Sequence, residues 1–574
     1  MRDKWIRSAL FITFVGMSSF AFPARAQNFS AWSAPTNLNA IVLSNGTHCL
    51  AVVNSASDDS HPTISKDGLS LFFSSTRAGG FGGYDLWVTE RDSLDDCWNA
   101  PKNLGPVVNS SSEDFTPNLT TDGHWLFFDS KRTTGSCNKG TVAELWVTHR
   151  QDSGDDFGWE PPINLGCAIN AAGAEDAGPD LFEDEFGNLF LYFTRSLVPN
   201  SSANAFIYVS TCPADLATCN MQGLWESGIR VVALNPNMTL GGDTRMAVRR
   251  RDGLEMILSS GRTGSLAGQN LWVSTRATTQ DQNWLPPVPI NCEWQQNVTA
   301  ILNLMPPPLP CPSWAPIDPP ETVVFVNSLA SARGPALSWD GTDLYFSSTR
   351  MDLPGFAGGR DLYVSKRTYI TSTVLNSSAN PSVFGQSVAF TATVSSAADG
   401  PPTGTVIFSD GSTNLGTSTL ASGQATFSTS SLSIGPHSIE GQYGGDRISS
   451  ASSGNLTQNV EYGICPLYDQ TRSVHSGATF PIKLQLCDIN GNDLSSSAIV
   501  VHAVSVTAVS GFSGTPDSPG NANPDNDFRF DPTLGSSGGY IFNLSTGGLT
   551  PGTYSLQFTA GSDPITHSVN FGVN

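Results

Sequence analysis

The sequence predicts an all-β chain, a five-bladed β-propeller over residues 27–368 followed by two β-sandwiches over 370–460 and 462–574. Two observations predict it. A strand-rich pattern occurs five times in the first two thirds, and after Arg367 the composition changes to short alternating runs rich in Ser, Thr, Gly and Val. The best copy of the pattern is DDSHPTISKDGLSLFFSSTRAGGFGGYDLWVTER at residues 58–91. The copies align on an asparagine (Asn54, Asn109, Asn170, Asn235, Asn327), a strand start that usually carries proline, a tight turn such as Asp67-Gly68, and an arginine at a strand end (Arg77, Arg132, Arg195, Arg262, Arg350).

Within a copy, PTIS, the Asp-Gly turn, LSLFFSS and DLWVTER read as antiparallel strands joined by short connections. One small sheet cannot bury both of its faces alone, whereas sheets stacked radially around an axis can. Each copy is preceded by a Trp-containing segment: WSAPTNL, WNAPKNLG, WEPPINLG, WESGIRVV and WLPPVPI. The outermost strand of a blade often comes from the next repeat, and none of these segments follows the last copy. Residues 32–43 are therefore expected to close the ring beside residues 361–367. The motifs SKDGLSLFFSSTR…GGYDLWVTER and SWDGTDLYFSSTR…GGRDLYVSKR resemble the WD-like propeller repeats of bacterial envelope proteins, including the TolB-type propeller. The resemblance implies a fold and leaves activity open, because propellers host many functions.

The first 26 residues read as an export signal: Arg2, Lys4 and Arg7, then an apolar run, then Ala24-Arg25-Ala26 as a cleavage site. The expected setting is secreted or periplasmic, at the cell envelope, with no membrane insertion once the signal is removed. Removal takes away four basic residues and one acidic one, moving the formal charge from −21 to −24. Such a balance argues against nucleic acid as a partner. The chain has 10 cysteines, an even number that suits disulfides in an exported protein. Neighbouring cysteines suggest Cys212–Cys219, Cys292–Cys311 and Cys465–Cys487, with Cys49, Cys97, Cys137 and Cys167 left unassigned.

Beyond Arg367, short strands broken by Gly, Pro and Asn turns are the pattern of a sandwich. The segment 370–460, with GTVIF and the strand end GQYGGD, resembles the bacterial Ig-like modules of surface and secreted proteins. Residues 462–574 read as a second Ig-like β-sandwich with a hairpin turn at Asn490-Gly491.

Signals for chemistry are sparse. The string Gly535–Gly539 matches G-x-S-x-G, but the strand YIFNLS follows where a nucleophile elbow needs a helix. Ser65-Lys66-Asp67-Gly68 resembles the Asp-box of sialidase propellers yet lacks the residue between Asp and Gly. None of the eight histidines falls at zinc-site spacing. Asp488, Asn490 and Asn492, and Asp525, Asp527 and Asp531, offer oxygen ligands that make calcium a candidate, while Asx turns explain them as well. No other cofactor is implied.

Repeated residues are read as fold devices, with each strand-end arginine tied to a neighbour such as Asp85, Glu144 or Asp361. Function is sought where copies differ. The longest departure, between Arg276 and Asn327, carries Trp284, Trp294 and Trp314 in a proline-rich loop, and Trp294 and Trp314 are candidates for stacking on a ligand. Asp59, Asp114, Asp176 and Asp243 open the inner strands, so a second candidate is a negative pocket at the channel mouth, with Arg333 as its one cation. Each Asp bonding backbone N–H groups in its own blade is the competing reading. The expectation is an exported, non-catalytic binding or adhesion protein taking a protein or glycan ligand, the propeller as recognition face and the sandwiches as stalk. The alternative is a carbohydrate-active hydrolase using channel carboxylates.

Overall fold

The computed structural model describes residues 29–135, 137–138, 142–198, 205–235, 243–249, 251–262, 265, 268–279, 282–290, 326–328, 330–509, 513–516, 523–535 and 537–574. The chain forms two compact units that divide between Arg367 and Thr368.

The first unit contains five four-stranded antiparallel sheets. Their inner strands are Asp59–Ile64, Asp114–Leu119, Glu175–Glu183, Asp243–Val248 and Ala332–Leu337. Each is followed outward by a second and a third strand, in the first blade Ser70–Ser75 and Asp85–Glu90. A two-residue outer strand completes each sheet, supplied in the first four blades by the Trp segment that follows: Lys102–Asn103, Ile163–Asn164, Ile229–Arg230 and Val288–Pro289. The fifth is completed by Thr36–Asn37, pairing Thr36 with Val364 and Asn37 with Tyr363. The N-terminal segment thus closes the ring where the repeat count requires it.

Both faces of each blade are covered by neighbours, which explains why consecutive residues such as Phe72 and Phe73 are both fully buried. Phe73 packs with Leu38, Val53, Tyr345 and Val364 between the fifth and first blades. Phe72, one residue earlier, packs with Leu119, Phe128 and Trp146 between the first and second. Side chains alternate across a strand, so two adjacent aromatics serve two separate interfaces.

The five aligned asparagines turn out to be blade clamps. Asn109 accepts from the Leu86 N–H at 2.8 Å and donates to the Leu86 carbonyl at 3.0 Å. Asn170 does the same to Leu145, Asn235 to Ile207, Asn327 to Leu271 and Asn54 to Leu362. In each case the connection leaving a blade is pinned to that blade's third strand. The Trp segments are packed under arginines: Arg91 over Trp98, Arg150 over Trp159, Arg276 over Trp284 and Arg367 over Trp32. Trp284, 3 % exposed, is therefore a core residue.

Among the described residues four disulfides join Cys49–Cys97, Cys137–Cys167, Cys212–Cys219 and Cys465–Cys487. The Cys292–Cys311 pair suggested by spacing lies outside the described residues, as do residues 1–28.

In the second unit, a three-stranded sheet (Thr371–Ser377, Val388–Ser396, Gln424–Thr429) lies in one sandwich with a five-stranded sheet. Their shared core includes Phe390, Val406, Phe408, Ile439 and Tyr443. A four-stranded and a five-stranded sheet make the second sandwich, around Ile482, Leu484, Phe542, Leu556 and Phe571. The Asp488 carboxylate accepts from the N–H groups of Asn490 and Asn492 and from the Asn492 side chain, capping its own hairpin turn. Asp527 bonds His502, and Asp531 accepts from Thr533. No group of metal-ligating side chains gathers among the described residues.

Candidate functional site at the propeller mouth

The carboxylates expected to crowd the channel are instead neutralised within their own blades. Asp59 is fully buried, accepts from the Ser55 N–H at 2.6 Å and pairs with Arg77 at 2.5 Å. Asp114 accepts from the Ser110 N–H at 2.5 Å and pairs with Arg132 at 2.6 Å. Asp176 accepts from the Ala171 N–H at 2.8 Å and pairs with Arg195 at 2.7 Å. Each arginine also donates to a carbonyl beside the clamping asparagine: Val53, Val108 or Ile169. For these three the uncompensated pocket is thereby corrected, because burial without a partner would cost several kcal/mol per charge and the repeat supplies that partner. The expected ties from these arginines to Asp85, Glu144 and Asp361 are corrected too. Those acids accept from local N–H groups and from Asn103, Asn164 and Asn37. Asp243 opens its strand opposite Ser260, as Asp59 does opposite Ser75. Trp294 and Trp314 lie outside the described residues.

Burial sets the behaviour of Asp176. Desolvation outweighs the Arg195 charge and the Ala171 N–H, and pushes its carboxyl up from 3.8 to about 6. Between those values the folded chain holds more protons than the unfolded one, so stability contributed at this site falls as pH rises from about 4 to 6. We expect unfolding free energies across that window to decline less steeply in Asp176→Asn, by on the order of 2–3 kcal/mol at full effect. Parallel slopes in urea titrations of the two proteins would contradict this.

Around the axis, each inner strand bulges at its third or a neighbouring residue. His61, Thr116, Gly178 and Gly334 all adopt positive φ, at 53°, 51°, 62° and 56°. At Gly334 glycine is required, since a Cβ there would stand 2.6 Å from His61 Cδ2. Thr116, a β-branched residue in this region, is held by its N–H donating to Ser74 Oγ at 3.0 Å and by its hydroxyl donating to Asp129. Farther along, Pro62, Thr63, Asn118, Asp180, Ala247, Val248 and Pro335 to Leu337 line a narrow channel, bringing all five inner strands together. Asp180 bridges three blades there, accepting from Asn118 Nδ2 and the Val248 N–H at 2.7 Å each.

Asp129 and Asp180 were missed in the sequence. Asp129 stands where the other second strands carry Ser74, Thr194, Ser259 and Ser347, so the signal was FFDS in place of FFSS.

The mouth at the inner-strand starts is asymmetric. Tyr84 donates to Asp58 Oδ2 at 2.9 Å, and its phenol is pushed up by burial and then by that carboxylate. Phe115 packs between Tyr84 and His61, with ring centroids at 4.4 and 4.3 Å. Arg360 reaches Asp58 at 3.9 Å, and its Nε is buried with no hydrogen-bond partner. Arg333, expected as the one cation near the inner-strand acids, has other neighbours. Its electrostatic neighbours are Arg360, Tyr84 and Asp58, and burial followed by Arg360 repulsion lowers its pKa. Ala332, not Arg333, takes the position of Asp59, pairing with Ser348. At the positions of Tyr84 and Arg360, whose carbonyls receive the first N–H of the next inner strand, the second blade has Ala143. Glu113 lies beside Tyr84, its Cγ 3.1 Å from where a Cβ on Gly83 would stand, and is paired with Lys131 at 2.9 Å.

With this geometry in view, the comparisons locate one module. Residues 375–461 match the bacterial Ig-like domain (group 3). That module is the first sandwich, as the strand pattern indicated. No curated protein matches the chain. Among solved structures, an α-L-arabinofuranosidase from Lactobacillus brevis is similar at 14 % identity, covering 55 % of this chain and 92 % of its own, with TM-score 0.34. An endo-arabinase from Bacteroides thetaiotaomicron is similar at 13 % identity over 59 % of this chain and 97 % of its own, also at 0.34. An exo-β-1,3-galactanase from Phanerochaete chrysosporium is similar at 10 % identity over 76 % and 94 %, at 0.32.

Proposed function

We propose that this is an exported, non-catalytic binding protein of the cell envelope or secreted space, whose propeller mouth is the recognition face and whose sandwiches are its stalk. The supporting observation is a contrast within the propeller. Asp59, Asp114 and Asp176 are spent in the fold, while Tyr84, Phe115, Arg333 and Arg360 differ between copies and gather with Asp58 at one side of the mouth. Four disulfides and the basic–apolar leader support export. The likeness of the repeats to TolB-type propellers supports an envelope setting. The partner is a glycan or a protein; the net charge of −21 disfavours nucleic acid.

A carbohydrate-active hydrolase is the second reading. It is favoured by two buried carboxylates, Asp129, which the other blades lack at its position and which holds the Thr116 and Gly178 bulges, and Asp180, which lines the channel. Screening the mature chain on a glycan array beside a glycosidase panel separates the two. Saturable binding without turnover is expected. Turnover that Asp129→Asn or Asp180→Asn abolishes would replace the binding reading with the hydrolase.

A further inference from the structure

We infer that the mouth binds an acidic saccharide, a sugar ring whose carboxylate is held by Arg333 and Arg360. The inference rests on the binding reading above and names its ligand class.

Charge is the first argument. On the side formed by the fifth, first and second blades, two guanidinium groups face Asp58, while Glu113, also beside Tyr84, is paired with Lys131. Asp58 is already engaged by the Tyr84 hydroxyl at 2.9 Å, and Arg360 meets it at only 3.9 Å, with no bidentate pairing. This contrasts with the fold arginines of the same propeller, which close on their acids at 2.5 to 2.7 Å. A planar anion bridging Arg333 and Arg360 would relieve the repulsion between them, which a neutral ligand would not do.

Shape and polarity are the second argument. Phe115 and Tyr84 are partly exposed and lie beside the arginines, offering an apolar ring edge next to a hydrogen-bonding hydroxyl and carboxylate. A sugar ring presents an apolar C–H face and a rim of hydroxyls, so one acidic ring meets all three features. At the matching positions the next blades carry Ala143 and Ala177, with no ring or guanidinium. The acidic groups that face the site are Asp58, Glu113 beside Tyr84 and, farther round, Glu175. Glu113 is paired with Lys131, and Glu175 adds to the field at that lysine. Attraction is therefore short-ranged, arising at the two arginines against a chain whose overall charge is −21.

The test places uronate- and sialate-terminated glycans on an array beside the same glycans with their carboxyl groups methyl-esterified, using the mature chain. Binding of at least one acidic glycan is expected, weakened about tenfold or more by esterification, as loss of a charge-assisted pair predicts. Arg360→Gln and Arg333→Gln should weaken the acidic glycan to a similar degree, with Arg360→Lys intermediate and melting temperatures unchanged within a few degrees. Equal binding of acid and ester, unaffected by either Gln variant, would overturn the acidic-ligand inference while leaving the binding reading intact. Capture of a protein and of no glycan would do the same. Turnover of a glycan on the array would overturn the binding reading itself.

Discussion

Replacing Arg132 by alanine is expected to destabilise the propeller by about 3–5 kcal/mol, the range for stranding one member of a buried ion pair. The Arg132 guanidinium donates to Asp114 Oδ1 at 2.6 Å, to the Val108 carbonyl at 2.8 Å and to Ser130 Oγ at 2.9 Å. It also lies over the rings of Phe128 and Trp146, within about 5 Å of each centroid. Without it, the fully buried Asp114 keeps only Ser110 as a partner. Arg132→Lys should recover little, because one ammonium cannot reach three acceptors in the fork geometry. Asp114→Asn added to Arg132→Ala should recover a large part, since no charge is then left buried. All 13 tryptophans precede residue 368, so tryptophan fluorescence in a urea titration reports the propeller without the sandwiches. A loss under about 1 kcal/mol would place this pair with ordinary surface ion pairs.

Deleting residues 29–43 should abolish cooperative unfolding of the propeller. Thr36–Asn37 is the outer strand of the fifth blade, and Ser33 adds a hydrogen bond from its N–H to the Lys366 carbonyl at 2.7 Å. Asn37 Nδ2 donates to Asp361 at 2.8 Å, and Asn39 accepts from the N–H groups of Val53 and Asn54 at 2.9 Å. Leu38, 1 % exposed, belongs to the core between the fifth and first blades. The deletion would expose the edge of Asp361–Lys366 and unstitch that interface, leaving an open ring with an unpaired strand. A milder variant, Leu38→Ala, should cost about 2–5 kcal/mol as a buried leucine truncation. Retention of a sharp fluorescence transition in the deleted chain would show that the ring holds without its closing strand.

Much of this fold was legible because its determinants are local. Asp-Gly turns, runs such as LSLFFSS and the fivefold count of Arg-ended strands each depend on a few adjacent residues. Ring closure followed from counting, since one Trp segment stood before the first copy and none after the last. The Cys212–Cys219 and Cys465–Cys487 bridges were suggested by short spacing, whereas Cys49–Cys97 joins the segment before the first blade to the connection after it.

The candidate site was far less legible. A repeated Arg and a repeated Asp were both visible, yet their pairing was assigned to Asp85, Glu144 and Asp361. Strand periodicity places a side chain on a face without saying which of several acids it meets. The aligned asparagines marked the repeat, and their bidentate grip on Leu86, Leu145 or Leu362 appears only once the third strand lies alongside. Asp58, Tyr84, Phe115, Arg333 and Arg360 meet because the radial arrangement brings the first, second and fifth blades to one axis. Strand, turn and blade number were set by short-range backbone preferences already present in the amino-acid order. The partners of the charged groups at the mouth depend on packing between segments up to about 300 residues apart, where burial makes each unpaired charge costly and so selects one arrangement.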